Sequence, residues 1–182
     1  MSKASLSTLM DALDHVCNAP TDSGRLELIV RRPAEDQREV LEQGELDLAV
    51  GLVGDSWDQR PSGRTGDGSP HPEMQLNLMN VRVTELVAGE RERWPLCGDQ
   101  LYVDLDLREE NLPPGTRLAI GGAVIEVTDQ PHRGCAKFSR RFGGDALKFV
   151  NSPEGTAVKA RGINAKVVQP GTINAGDSVT KI

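Results

Sequence analysis

Cys135 lies in the run Gln130-Pro131-His132-Arg133-Gly134-Cys135-Ala136-Lys137-Phe138, among the kinds of neighbours that favour a thiolate. A thiol becomes a good metal ligand or nucleophile when nearby positive charge stabilises its ionised form. Arg133 and Lys137 stand two residues away on either side, His132 three residues before, and Arg140 and Arg141 follow shortly. From His132 to Lys148 five basic residues face a single acid, Asp145, in a chain whose formal net charge is −6. A positive island of that kind suits a small anion, whereas the overall acidity argues against nucleic acid as a partner. Gly134 puts no side chain beside the thiol, which would let a bulky ligand approach the backbone, and Pro131 fixes the entry into the loop. Residue types alone leave a buried structural thiol as an equal reading, and the arginines could form a solvated helix face.

The remaining candidates are weaker. Cys17 and Cys97 lack comparable surroundings and read as structural, and three cysteines without a CxxC spacing argue against a disulfide framework and a zinc site. Trp57 and Trp94 read as core or rim residues. His71, between Pro70 and Pro72, reads as a solvent-exposed turn residue.

The elements that must position these residues are short. Ser5 caps an amphipathic helix in which Leu6, Leu9, Met10, Leu13 and Val16 recur at helical spacing, ended by Pro20 and Gly24. Alternation over Arg25 to Arg31, with Leu26, Leu28 and Val30 on one face, predicts a half-buried strand. Glu39 to Glu42 and Leu46 to Val53 read as strands on either side of a turn at Gln43-Gly44. Gln59 to Glu73 reads as a long exposed loop, functional or mobile. Met74 to Met79 reads as a strand, followed by a helix capped by Asn80 and stopped by Gly89. Leu101 to Leu107 is the clearest strand, and Thr116 to Ile120 and Ala123 to Thr128 form a hairpin about Gly121-Gly122. Two helical turns over Ala136 to Phe149 break at Gly143-Gly144, and strands at Ile163 to Val168 and Ser178 to Ile182 close the chain around Pro170-Gly171.

Many short strands, few helices, and 182 residues predict one mainly β domain, a β-barrel over residues 25–182, behind a helical extension at residues 1–24. Apolar runs are too short to span a bilayer and no signal-peptide pattern opens the sequence, so a cytoplasmic protein without membrane contact is expected. No iron–sulfur cysteine cluster or dinucleotide fingerprint is visible, so any electrons would come from another protein.

The cysteine loop QPHRGCAKF resembles that of the MOSC family, named for the C-terminal domain of molybdenum cofactor sulfurase. GLVGDSW (Gly51 to Trp57) is similar to the family's early glycine-aspartate motif. Asp99 to Leu105, Ala146 to Asn151, Arg161 to Val168 and Gly171 to Asp177 follow in the family's order, so the resemblance covers roughly Arg25 to the C-terminus. It departs at one place. Better-known stand-alone members follow the glycine-aspartate motif with a histidine-diglycine stretch and an arginine, whereas this chain has Pro70-His71-Pro72 and then Gln75-Leu76-Asn77.

The resemblance implies a MOSC-type barrel with short peripheral helices, resembling the stand-alone bacterial type, that binds the molybdenum cofactor (molybdopterin). Cys135 would be both the thiolate ligand to molybdenum and the catalytic residue, since a soft thiolate suits that metal. Arg133, Lys137, Arg140, Arg141 and Arg161 are the candidates for the cofactor's phosphate and pterin, chosen by their chemistry. The implied activity is an oxidoreductase that reduces small N-hydroxylated compounds, fed by an external electron-donor protein. Its alternative is a non-redox carrier that delivers persulfide sulfur, or the cofactor itself, to a partner enzyme. An inert barrel that serves as an interaction module is the third reading.

Overall fold

In the computed structural model, which describes residues 4–182, the alternating segments become a ring. The strands are β1 (Ser23–Arg31), β2 (Glu39–Leu41), β3 (Gln43–Asp47), β4 (Gly51–Leu52), β5 (Leu76–Asn80), β6 (Leu101–Asp104), β7 (Arg117–Ile120), β8 (Ala123–Val127), β9 (Ile163–Gln169), β10 (Gly171–Asn174) and β11 (Ser178–Lys181). Seven of them close in the order β1, β11, β7, β8, β9, β5, β6 and back to β1, with only β5 and β6 parallel. Closure leaves the ring without a free edge. β2 hangs on β1 outside the ring, and β10, β3 and β4 form a small separate sheet.

Two apolar clusters follow from the period of two in each strand. One fills the barrel and includes Leu26, Ile29, Leu78, Leu101, Val103, Ile125 and Val167. The other lies between the barrel wall and the helices and includes Leu28, Val30, Met79, Tyr102, Phe138, Phe142 and Phe149. The helices are α1 (Leu6–Asp11), α2 (Leu13–Cys17), α3 (Val81–Ala88), α4 (Ala136–Phe142), α5 (Gly144–Asn151) and α6 (Pro153–Ala157). Ser5 and Asn80 cap α1 and α3 by accepting backbone N–H bonds, as their sequence positions predict.

Several expectations need correction. Leu26 does not share a face with Leu28 and Val30, because a shift of register between Leu26 and Leu28 inserts a bulge and sends Leu26 into the barrel. The segment Leu46 to Val53 is not one strand; it folds back as the β3–β4 pair, and Gln43-Gly44 lies inside β3, opposite Ile173 and Asn174 of β10. Gly44 is needed there because a Cβ would stand 2.9 Å from Leu52. The first helix divides at Ala12, β5 begins at Leu76 rather than Met74, and β6 ends at Asp104 although Leu105 and Leu107 remain buried. The strand β10 lies where only a turn was expected, and the short helix α6 lies in a stretch to which no element was assigned.

Candidate functional site

A polar rim forms where neighbouring strands meet end to start: β1 ends beside the start of β6, β8 ends beside the start of β9, and β5, parallel to β6 and antiparallel to β9, lies between the two junctions. Arg32, just beyond β1, is buried and held by Asp55 through Nε–Oδ2 and Nη2–Oδ1, both 2.8 Å, while Asp55 Oδ2 also accepts from the Arg32 backbone N–H. Asp55 belongs to the glycine-aspartate motif, and its carboxylate additionally turns the chain by accepting from Trp57 N. Arg32 Nη1 donates to Asn77 Oδ1 at 3.1 Å and Gly98 O at 2.8 Å. Asn77 Nδ2 donates to Asn164 Oδ1, and Asn164 Nδ2 donates to the carbonyl of Gln130. A continuous, partly buried network therefore runs from the glycine-aspartate motif to the cysteine loop. Burial of so many polar groups is tolerable only because each finds a partner.

A second buried pair stands beside it. Arg161 Nη1 contacts both oxygens of Asp99, at 2.9 and 2.7 Å, and Nη2 donates to the carbonyl of Cys97. Its guanidinium lies 5.1 Å from the ring centre of Phe138 on α4. Burial is the largest influence on Arg161 and opposes its charge, but Asp99 foremost, with Cys97 and Tyr102, together outweigh it and the guanidinium pKa is raised. His132 Nδ1 approaches Asp99 Oδ1 only to 3.6 Å and makes no hydrogen bond, nor does the buried Arg161 Nε. Burial, followed by the charges of Arg161 and Arg32, holds His132 well below the usual imidazole pKa, so the ring is neutral.

Cys135 itself is exposed and stands immediately before α4. Its loop is tied at both ends: Gln130 O accepts from Asn164, and Gly134 exchanges two bonds with Asn151 of α5, N–H to Oδ1 at 3.0 Å and Nδ2 to O at 3.2 Å. Gly134 also serves the packing of the loop. A Cβ there would stand 2.7 Å from Val150 and 2.8 Å from Leu147, so the glycine is needed for packing against α5. Cys97 is buried, and burial together with Asp99 pushes its thiol far above the ordinary range, which leaves it inert.

The basic residues chosen from the sequence scatter over different environments. Lys137 pairs with Glu35, and Arg141 with Asp36 at 2.6 Å, both partners coming from the segment after β1. Arg133 and Arg140 are exposed and make no ion pair within 4.0 Å among the described residues. Arg161 is committed to Asp99. Beside Lys137 opens a cavity of about 500 Å³ lined by Pro33, Glu35, Asp36, Arg38, Ser56 and Arg60, among others. Behind the loop lies a smaller one, about 180 Å³, reached by His132, Arg133, Lys159 and Arg161. The Cys135 side chain lines neither.

Arg32, Arg38, Asp55 and Arg60 were missed by a reading centred on the cysteine. Only the pairing of a buried arginine with the glycine-aspartate motif could have pointed to them, and the partners lie 23 positions apart in the chain. The long loop is also less detached than expected: Arg64 donates to Gln130 Oε1 at 3.3 Å, and His71, half-buried, caps the turn at Pro72–Met74 by accepting from Glu73 N.

Seven strands closed about an aliphatic core, with a cysteine loop on one polar rim, match a known family. The family model for the MOSC domain matches residues 74–180, and the chain belongs to that family, which is associated with molybdenum-cofactor binding. The crystal structure of the YuaD protein from Bacillus subtilis superposes with a TM-score of 0.58 at 17% identity, covering 86% of this chain and 94% of that one. That of YiiM from Escherichia coli gives 0.55 at 19% identity, over 87% and 69%. At such identities these structures bear on the fold alone. No curated protein matches. Among the described residues no helix is long and apolar enough to cross a membrane.

The residues at the rim suit a cofactor that carries its own metal ligands. No group of three or more His, Cys, Asp or Glu able to hold a metal ion is found among the described residues. A metal here would need most of its donors from elsewhere, as a pterin dithiolene provides, with one exposed thiol from the protein.

Proposed function

We propose that the rim around Cys135 binds the molybdenum cofactor, with the Cys135 thiolate as the protein's ligand to the metal and catalytic residue of a reductase acting on small N-hydroxylated compounds. The observation that carries this reading is the exposed thiol on a loop tied down at both ends, at a rim rich in guanidinium groups. When bound, the cofactor supplies the redox chemistry. The chain's own part is to present sulfur in a fixed direction, to surround it with basic groups, and to keep a neutral imidazole, His132, under the loop. Arg133 and Arg140, without carboxylate partners among the described residues, are exposed beside the thiol and attract anionic portions of cofactor or substrate. Electrons would come from a separate donor protein, and the protein would work in the cytoplasm.

The test is metal analysis and pterin fluorescence of protein made in a host that synthesises the cofactor, compared with Cys135→Ser. Oxygen is a poor replacement for a soft thiolate, so the variant loses molybdenum and N-hydroxyl reduction while remaining folded. Undiminished molybdenum and activity in Cys135→Ser would refute the ligand assignment. The exposure of Cys135 also favours a carrier, in which the thiol accepts sulfur as a persulfide from a desulfurase and passes it, or the cofactor, to a partner enzyme. A carrier lacks reductase activity but loses persulfide loading in the same variant.

A further inference from the structure

We propose that the cavity bordered by Arg38, Arg60 and Lys137 is a binding site for a phosphate group, which Glu35 and Asp36 of the same chain occupy as displaceable counter-ions. This deepens the cofactor reading by naming an anion-binding site, and it rests on geometry independent of Cys135.

Arg38 and Arg60 carry the argument. Both are half-buried, and both are held by neutral oxygens: Arg38 donates from Nε to Pro95 O at 3.2 Å and from Nη1 to Gln37 O, and Arg60 donates from Nε and Nη2 to Ser56 Oγ at 3.2 and 2.9 Å. Among the described residues neither has a carboxylate oxygen within 4.0 Å. Burial, and then the charges of Arg141 and Arg32, lower the Arg38 pKa; burial, and then Arg32, lower that of Arg60. Guanidinium groups stay protonated regardless, so the cavity wall carries three cations, Arg38, Arg60 and Lys137, against the two acids Glu35 and Asp36. By contrast, Arg32 just behind them is fully paired with Asp55. Two forked donors and an ammonium around about 500 Å³ match the oxygens of a phosphate monoester or diphosphate.

The acids at the mouth are built to leave. Glu35 and Asp36 are 76% and 66% exposed, sit in a short turn closed by Gln37 N to Ala34 O, and Asp36 takes a left-handed φ of 57°. Their partners Lys137 and Arg141 are on α4, directly after Cys135. Exposed ion pairs of this kind are weak, whereas a phosphate offers two negative charges and several acceptors to the same cations. Binding therefore exchanges two surface pairs for contacts with Lys137, Arg38 and Arg60.

Isothermal titration of the full-length protein with inorganic phosphate and pyrophosphate at low ionic strength tests the site. Saturable binding is expected, weakened about tenfold or more in Arg38→Gln and Arg60→Gln, by the usual worth of charge-assisted bonds. Glu35→Gln with Asp36→Asn should tighten it about two- to fivefold, by the usual worth of exposed pairs. The remote exposed Glu154→Gln, which makes the same kind of charge change, should leave it alone. Circular dichroism melts confirm that each variant folds. Absence of saturable binding, affinity in both arginine variants unchanged from that of the unmutated protein, or a Glu154→Gln effect as large as that at Glu35 and Asp36 would overturn the site. Cys135→Ser should bind phosphate normally, so failure of the molybdenum assignment and failure of the anion site are separable. Pterin loss from Arg60→Gln made in a cofactor-synthesising host identifies the phosphate as the cofactor's. Unchanged pterin with weakened phosphate binding identifies a free phosphate ester.

Discussion

Arg32 and Arg161 sit under the cysteine loop, Arg38 and Arg60 sit beside it, and the two pairs differ in what holds them. The inner pair is buried and meets carboxylates face to face, at 2.8 Å for Arg32–Asp55 and 2.7 Å for Arg161–Asp99. The outer pair is half-buried and rests on carbonyls and a hydroxyl. Charge that the fold neutralises shapes the rim; charge left unmatched is available to a ligand. Proximity to Cys135 in sequence does not separate the two kinds, since Arg161 was grouped with the candidate anion binders and Arg38 was not.

The largest expected effect lies in the inner pair. Asp99→Asn keeps the shape but strands the Arg161 charge in the interior, and breaking a buried pair from one side costs about 3 to 5 kcal/mol. Denaturant unfolding should show it as a lower midpoint with an unchanged slope. A loss below about 1 kcal/mol would mean that the pair is not isolated from water, and the contrast with the outer arginines would collapse.

Next comes the packing that aims the loop. In Gly134→Ala the new methyl would meet Val150 and Leu147 at 2.7 and 2.8 Å, and overpacking of this sort costs about 1 to 3 kcal/mol. The variant should also alter alkylation of Cys135, the exposed thiol, while buried Cys97 stays unlabelled until the chain unfolds. Mass spectrometry of iodoacetamide-treated protein checks both; a wild-type protein that labels first at Cys97 would contradict the placement of the loop.

A smaller effect should appear with pH. His132 is held neutral, with a pKa well below the usual one, and faces Asp99, Arg161 and Arg32. Below about pH 6.5 the unfolded chain takes up a proton at this residue that the folded one resists, so stability falls as pH falls through that region. Unfolding midpoints from pH 7.5 to 5 should decline, and His132→Gln should remove part of the decline. A slope unchanged by the substitution would place the titration elsewhere.

How much of this was legible beforehand follows from the range of each signal. The hairpin at Gly121-Gly122, the caps at Ser5 and Asn80, and the position of the cysteine loop after β8 depend on neighbours within a few residues, and they stand as read. The bulge at Leu26 to Leu28 leaves no mark in the alternation, because Leu26, Leu28 and Val30 are all buried whichever way they point. Leu46 to Val53 misled for a related reason: an apolar run looks continuous although Asp47 turns it, accepting from Ala49 and Val50 N–H groups. The network from Asp55 to Gln130 joins segments that only barrel closure brings together, so no local pattern could disclose it.

The smallest expected change in stability belongs to the outer ring, and it sharpens the comparison most. Arg140 is exposed on α4 and makes no ion pair among the described residues, so Arg140→Ala should alter the unfolding free energy by no more than about 0.5 kcal/mol, as for surface substitutions generally. Arg133→Ala should behave alike. If these residues serve an anionic ligand, their loss will appear only in binding, as reduced pterin retention after dialysis at moderate salt, because exposed charges act through a field that salt screens. Stability unchanged with retention reduced separates a residue held for a ligand from one held for the fold. Stability reduced as much as in Asp99→Asn would show that the outer ring also carries the fold, and would erase the distinction between neutralised and available charge.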